Sequence, residues 1–485
     1  MTNEALIQKL ISIVGDAHVI AGDADKSAWE TDPSGKYSGD ALAVVQPANT
    51  HEVSAIVRLA NETNTPVVPQ GGNTGLAGGC YSPARDGGII LSLARMNKIR
   101  EIRTESRLAI VEAGVILETL HNAADNVGLV FPLRFGARGS CMIGGNLSTN
   151  AGGSNVVRYG NTRDLVLGLE AVLPDGSIVD LMSELHKDNT GYSLKHLLIG
   201  AEGTLGVITT AVLKLFPKPK AYATALISVP RLGAALEVLN RVQAATSAGV
   251  EAFEYLPRGY FQAARLKFPL MRMLLDPPAE HAIFLEIGAI SDADATPDQK
   301  GNVPIVEKFN DVLGELIDKG LVLDGVLAKS EAERKQMWEQ REVAYEVSLS
   351  KGVPVATDVA VSLDRIEPFL QDVEARVNAE FPQAEMIAIA HLGDGNLHNS
   401  IWLDPVNKGA GTPQDRDRVT EIVEEVVSDF NGSFSAEHGI GVAKLNSMAR
   451  QKDQNALSAM RAIKSALDPN GIMNPGKVLP PAPDC

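Results

Sequence analysis

His391 and His398 stand seven residues apart in AHLGDGNLHN, around a Gly-Asp-Gly centre, in a chain of 485 residues with only nine histidines. A third, His438, follows an acid directly in SAEHGIG, as Glu437-His438. Neutral imidazoles and a carboxylate are the ligands of an open catalytic Zn²⁺ site, in which three protein groups hold the ion and a fourth position is left for substrate. A lone histidine is more often a hydrogen-bonded turn or core residue, but three of them beside glycine turns favour chemistry. Asp394, between the two glycines, also has an oxygen to offer a metal. A short Asp in that setting is equally a turn former, which is the preferred reading.

Glycine marks a second set of candidates. Gly71-Gly72-Asn73-Thr74-Gly75, then GARGSCMIGGNLSTNAGG over 136–153, then GAEGTLGVIT over 200–209 are dense in a residue that costs backbone entropy on folding. Tight turns are one explanation; the other is close approach of backbone N–H groups to an anion such as a pyrophosphate. Two dinucleotide signatures fail. GAEGTLG is not G-x-G-x-x-G, and GIMNPGKV (471–478) approaches a phosphate loop but has Pro475 inside it and Val478 where a magnesium-binding hydroxyl belongs. A nucleotide, if bound, is held another way.

These residues need elements to hold them. The strand MIAIA runs into His391, and GDGN must turn sharply before HNSIWL begins at His398, so a hairpin or tight loop brings both imidazoles to one end of a sheet. From Ala41 to Phe216, runs rich in Val and Ile (ALAVVQPAN, TPVVPQGG, GGIILSL, LAIVEAGV, LVLGLEAVLPDGSIVDL, GVITTAVLKLFP) read as strands. HEVSAIVRLANET among them reads as a helix, and PDGS (174–177) as a hairpin turn. The two prolines of FPKPKA (216–221) mark a domain boundary. Beyond it, helical patterns such as RLGAALEVLNRVQAAT and SEAERKQMWEQREVAYEVSLS alternate with strands such as HAIFLEIGAI and EMIAIAHLG, an α+β arrangement. The expected division is residues 1–216, 217–442 and a helical C-terminal segment, 443–485.

A composition of 45% apolar and 21% charged residues is that of a soluble globular protein, and a net charge of −16 argues against nucleic acid or an anionic membrane as main partner. Cys80, Cys141 and Cys485 are few, odd in number and far apart, which fits a reducing compartment. The N-terminus, MTNEALIQKLISIVGDA, reads as an amphipathic helix rather than a secretory signal, and no apolar run is long enough to cross a bilayer. The expectation is a cytoplasmic protein without a transmembrane segment.

Taken in order and spacing, PQGGNTGLAGG, GSCMIGGNLSTNAGG, RYGNTRDLVLGLEAVLPDG and DNTGYSLKHLLIGAEGTLGVIT resemble the FAD-binding domain of vanillyl-alcohol oxidase type (PCMH type) flavoproteins. The resemblance continues through HLGDGNLH, AEHGIG and LDPNGIMNPGKVLP, covers nearly the whole chain, and points to the FAD-linked D-2-hydroxyacid dehydrogenases. It implies an α+β fold with a PCMH-type FAD-binding domain and a substrate or cap domain. FAD contacts are implied for Pro69, Gly71, Gly72, Asn73, Thr74, Gly75, Ser140, Gly144, Gly145, Asn146, Gly152, Glu202, Gly206, Ile208 and Asn474. Some relatives attach flavin through a histidine. Here Met142 follows Cys141 with no histidine nearby, so FAD is expected to be noncovalent.

The same resemblance makes His391, His398 and Glu437 the ligands of a divalent metal, Zn²⁺ first, with Fe²⁺ or Mn²⁺ open to the same donors, and His438 the general base. It implies oxidation of a D-2-hydroxy acid to the 2-oxo acid with hydride passed to flavin N5. Electrons would then leave to a separate acceptor, an electron-transfer flavoprotein, a quinone or a cytochrome. The alternatives are an oxidase using oxygen and a non-catalytic flavin electron-transfer subunit; a homodimer is allowed. In KQMWEQREVAYEVSLSK, Trp338, Arg341, Tyr345 and Ser348 fall at helical spacing on one face. If that face lines a pocket, Arg341 is the natural bidentate partner of a substrate carboxylate. Family members that use D-2-hydroxyglutarate carry threonine where this chain has Tyr345, lysine where it has Ala356, and His-x-Asn where it reads His398-Asn399-Ser400. A one-residue shift on a strand reverses the face, so Ser400 and not Asn399 is the expected substrate neighbour, and a monocarboxylate with an apolar or aromatic side chain the expected substrate.

Overall fold

The computed structural model describes residues 1–22, 24–33, 35–81, 87–275 and 278–481, and Cys485 lies outside them. The chain forms two compact units: Met1–Gly152, Asn161–Pro217 and His438–Cys485 make the first, Gly153–Gly160 and Lys218–Glu437 the second. The passage from Pro217 to Lys218 falls inside FPKPKA, and the C-terminal segment returns to the first unit.

In the first unit the N-terminus is the expected helix, Asn3–Val14, opened by the Thr2 hydroxyl accepting from Ala5 N–H. It buries Leu6, Leu10 and Val14, each contributing about 1.5–3 kcal/mol on leaving water. Strands β1 (Val19–Ala21), β2 (Ala43–Val45), β3 (Val67–Gln70) and β4 (Ile89–Ser92) form a sheet in the order β1-β2-β4-β3, with β2, β4 and β3 parallel. The helix Thr50–Thr63 crosses from β2 to β3 and buries Val53, Ile56, Val57 and Ala60. The remaining strands are β5 (Ile99–Arg103), β6 (Leu108–Glu112), β7 (Leu129–Val130), β8 (Val166–Val172), β9 (Ile178–Leu181), β10 (Val207–Lys214) and β11 (Phe216–Pro217). They form an antiparallel sheet β5-β6-β10-β8-β9 and a β7–β11 pair, and PDGS turns β8 into β9 as its sequence predicts.

The second unit is built on one antiparallel sheet: β12 (Ala221–Val229), β13 (Val250–Pro257), β14 (His281–Ala289), β15 (Asp324–Leu327), β16 (Val355–Ala360), β17 (Glu385–His391) and β18 (Asn396–Trp402), in the order β15-β12-β14-β13-β17-β18-β16. Side chains alternate between its faces. Phe253, Tyr255, Ala390, Leu397 and Ile401 join the larger core under the helices Ala234–Ala245, Pro304–Asp318, Ile366–Glu380 and Pro413–Asp429. Ala252, Leu256, Ile387 and Trp402 face the other way, into a smaller core with Tyr260, Phe261, Met337 and Val347. That second face carries the chemistry.

One expected element is different. SEAERKQMWEQREVAYEVSLS is not a single helix but two, Glu331–Glu342 and Ala344–Ser348, separated at Val343. The four residues expected on one face are therefore divided. Trp338 and Arg341 turn to the sheet, where Glu286 and Glu254 accept from their N–H groups, whereas Tyr345 is 57% exposed and Ser348 donates to the Tyr345 carbonyl. The buried carboxylates hold the first helix's register, and the second helix begins afresh with its own burial of Val347.

Candidate active site

The hairpin β17–β18 forms as its sequence requires, with His391 paired in register to Asn396 and Ile389 to His398. The turn between them needs both glycines. A Cβ at Gly395, whose φ is +85°, would lie 2.3 Å from the Val361 carbonyl, and one at Gly393 would lie 2.5 Å from Val157 Cγ2. Asp394 accepts from Asn396 N–H at 3.2 Å, the turn-forming contact expected of it. The period of two then puts His391, His398 and Ser400 on one face, while Asn399 points to the opposite face and donates to Thr357 Oγ1.

Glu437 reaches the same face from outside the sheet. Ser433 pairs with Ala360 at the edge of β16 through two backbone hydrogen bonds, and Glu437 N–H donates to Asp358 Oδ2 at 3.0 Å. No strand precedes Glu437; this edge pairing is what delivers it. Its carboxylate oxygens lie 3.9 Å from His391 Nε2 and 3.8 Å from His398 Nε2, and one ligand atom from each of the three residues falls within 4.8 Å of the others. His438, next in the chain, begins the last segment of the first unit.

The far side of each imidazole meets a buried carboxylate. His391 Nδ1 is 2.8 Å from Glu254 Oε1, and His398 Nδ1 is 3.8 Å from Asp358 Oδ1. Both rings thus present Nε2 to Glu437; at His391 the contact is a hydrogen bond, through which an outer carboxylate sets a ligand's tautomer, and at His398 it is longer than one. Neither Glu254 nor Asp358 was found by sequence reasoning. For Glu254 the available signal was the strand VEAFEYLP, which places two acids, Glu251 and Glu254, among apolar residues, where a buried charge demands a partner.

Burial pushes the Glu437 carboxyl up to about 7, reinforced by Asp358, Asp394 and Glu254 against the pull of His391. Burial likewise raises Asp394 to about 6. At His391 burial disfavours the charged ring, yet Glu254 and Glu437 outweigh it and carry its pKa up to about 9. Acids therefore outnumber cations in this corner, and protons must stand between the three ligands unless a cation does. The donor set fits a divalent ion. Ligands about 2.0–2.2 Å from Zn²⁺ leave tetrahedral neighbours roughly 3.4 Å apart, a small contraction from the gaps observed.

Arg341 is 9% exposed, and its Nε donates to Glu254 Oε2 at 2.7 Å. Ser400 is half-buried on the site face, opposite Ala356 on β16. Lys351 pairs with Glu385 and lies 5.6 Å from the centre of the Trp402 ring. No strand position on this face of β13, β17, β18 or β16 is Lys or Arg.

In the first unit the glycine segments converge. The loop 71–75 leaves β3 directly and lies against 140–145: a Cβ at Gly72 would fall 2.0 Å from the Ser140 carbonyl, and one at Gly71 3.5 Å from Gly145 N. Glu202, at φ +51°, accepts from Ile440 and Gly441 N–H at 2.7 and 2.8 Å, so its side chain ties 202–206 to the AEHGIG loop. Asn474 donates to the Gly79 and Glu202 carbonyls, Asn73 to the Thr31 carbonyl, and Asn146 to Cys141 Sγ. Pro69 packs at Gly203; Gly144 packs on Ala113, and Gly206 on the Val172 carbonyl, while Ile208 is buried in β10. Half-buried Thr74, exposed Ser140 and buried Gly152 complete the set.

Two of these glycines have neither reason. Gly75 and Gly145 have no positive φ, and a Cβ on either would meet nothing within 4 Å. Asn474 Oδ1 and Gln70 Oε1 are buried acceptors with no donor among the described residues. Open glycines and unpaired acceptors in one cradle fit a bound cofactor.

Comparison with known proteins agrees. Residues 41–182 match the family described as "FAD binding domain", and residues 218–478 match "FAD linked oxidases, C-terminal domain". A D-2-hydroxyglutarate dehydrogenase of Xanthomonas citri pv. viticola is 36% identical, with 94% of this chain and 93% of the relative covered. A mitochondrial D-2-hydroxyglutarate dehydrogenase of Bos taurus is 37% identical over 91% of this chain and 77% of its own. Among solved structures, p-cresol methylhydroxylase with substrate bound superposes with a TM-score of 0.71 at 16% identity, covering 98% of this chain and 96% of that one, which shows the shared PCMH-type fold.

Proposed function

Since this chain belongs to the FAD-linked D-2-hydroxyacid dehydrogenases, flavin oxidoreductases acting on CH–OH, we propose that it oxidises a D-2-hydroxy acid to the 2-oxo acid with a divalent metal, first Zn²⁺, at His391, His398 and Glu437. The observation that carries this reading is the meeting of three ligand atoms within 4.8 Å, with a buried carboxylate behind each imidazole. A structural ion would be closed by a fourth protein ligand, whereas three leave a position for substrate.

Bound FAD supplies the hydride acceptor, and a bound divalent ion supplies Lewis acidity at the 2-hydroxyl and carboxylate. Pro69, the 71–75 loop, Ser140, Gly144, Gly145, Asn146, Gly152, the 202–208 segment and Asn474 would hold the flavin nucleotide. Arg341, its guanidinium plane fixed by Glu254, receives the substrate carboxylate. His438 takes the hydroxyl proton as hydride leaves C2. Electrons pass to a separate acceptor, of the class of an electron-transfer flavoprotein, a quinone or a cytochrome. Free Cys80 and Cys141 suit a reducing compartment, and the cytoplasm is our placement. No helix among the described residues is long and apolar enough to cross a membrane.

The relatives' names make D-2-hydroxyglutarate the reference substrate. A second carboxylate, however, would meet Ser400 and Ala356 beside the histidines, and Lys351 is already paired with Glu385, so we expect a D-2-hydroxy monocarboxylate with an apolar or aromatic side chain to have the higher kcat/KM. Flavin bleaching by D-lactate, a larger D-2-hydroxy acid and D-2-hydroxyglutarate, each before and after chelation, tests both points. Chelation should stop bleaching by every substrate. Bleaching that persists without metal would overturn the metal reading, and peroxide release would make the protein an oxidase. A clear preference for D-2-hydroxyglutarate would overturn the substrate expectation alone.

FAD should also come off intact on denaturation. Cys141 is buried, it accepts from Asn146, and burial pushes its thiol up to about 11, far from the thiolate that bond formation needs. Acid-precipitated protein should be colourless; flavin retained in the pellet would refute this.

A further inference from the structure

Glu254 is wholly buried on β13 and has two oxygens with two different duties. Oε1 meets His391 Nδ1 at 2.8 Å, and Oε2 accepts from Arg341 Nε at 2.7 Å. We propose that Glu254 is a positioning residue that fixes, with one carboxylate, both the tautomer of the metal ligand His391 and the plane of the substrate-binding Arg341. The proposal rests on the metal reading above.

The chemistry of the three groups makes the arrangement directional. Arginine can only donate, so Oε2 must accept from it. An ionised carboxylate can only accept, so His391 must carry a proton on Nδ1, which leaves Nε2 as the nitrogen that a metal beside Glu437 would take. A guanidinium is planar, and a fixed Nε–H direction fixes the direction of its remaining edge. Glu254 lies on the strand next to β17 in the sheet, so a rigid ladder rather than a loop sets the separation.

The same face offers an internal control. Glu286 on β14 is also buried and accepts from Arg334 and Trp338 of the same helix that bears Arg341, but no histidine contacts it among the described residues. Glu286→Gln should disturb the helix's attachment without touching a ligand's tautomer. In Glu254→Gln, by contrast, the amide oxygen must face Arg341, leaving the NH₂ to donate to His391 Nδ1. That moves the ring proton to Nε2, where it blocks the metal.

The experiment is a competition titration of the FAD-loaded full chain with Zn²⁺ and a chromophoric chelator, with flavin absorbance counting folded protein. Glu254→Gln should raise the Kd for Zn²⁺ about 10–100-fold, and Glu286→Gln should leave it within about twofold, both at wild-type flavin content. At saturating Zn²⁺, Glu254→Gln should still show a raised KM, because a neutral amide oxygen holds the guanidinium less strongly than a carboxylate does. Equal Zn²⁺ affinity in Glu254→Gln and wild type, or equal losses in both variants, would overturn the proposal while leaving the metal reading intact. A wild type that takes up no Zn²⁺ would remove both. If Glu254→Gln fails to fold, ¹⁵N-histidine spectra of the Zn²⁺-loaded wild type decide: the resonances lost in His391→Ala should report Nδ1–H, and Nε2–H would refute the proposal.

Discussion

Replacing His391 or His398 with alanine, or Glu437 with glutamine, should abolish metal retention and turnover while the flavin spectrum stays that of the wild type. All three ligands belong to the second unit, whereas the glycine cradle is built wholly within the first, so ligand loss does not reach the residues expected to hold FAD. A Lewis acid at the reacting oxygen contributes several kcal/mol, and about 1.4 kcal/mol is a factor of ten, so flavin reduction by substrate should slow by about 10³-fold or more. His438→Asn should separate the roles: metal content unchanged, flavin reduction lost. Metal analysis beside anaerobic stopped-flow reduction checks both. If metal content followed His438 and ignored Glu437, ligand and base would have to be exchanged.

Gly145→Val should leave a folded chain that does not retain FAD. Gly145 lies in the helix Ile143–Thr149 and its missing side chain faces open space. No protein atom resists the substitution, and a non-glycine residue is favoured in a helix by up to about 1 kcal/mol. Only a ligand would be obstructed. Gly72→Val should fail for a different reason: its Cβ would lie 2.0 Å from the Ser140 carbonyl oxygen, 2.9 Å from the Ser140 carbonyl carbon and 3.0 Å from Cys141 Cα. Backbone cannot yield there as a side-chain end can, and overpacking of this kind costs about 1–3 kcal/mol or more. Bound FAD per chain, with circular dichroism as the measure of folding, separates the two. Stoichiometric FAD in folded Gly145→Val would remove Gly145 from the cradle, and a Gly72→Val protein of normal stability would refute the close approach.

What the sequence determined by itself was local. The alternation of MIAIA and HNSIWL, the two glycines around Asp394 and a two-residue period put His391, His398 and Ser400 on one face and Asn399 on the other, because side-chain direction on a strand depends only on position along it. The spaced motifs likewise carried the family and the FAD-binding fold, since the order of glycine turns survives wherever backbone must approach closely. What surrounds the histidines was decided elsewhere. Glu254 stands 137 residues before His391, and Asp358 meets both His398 and Glu437 only because β16 lies beside β18 at the sheet edge. The break at Val343 that exposes Tyr345 and the pairing of Lys351 with Glu385 are of the same kind. Partners across a sheet are fixed by strand order and by which buried charge each helix must satisfy; both are properties of the assembled core, and no short stretch of sequence contains them.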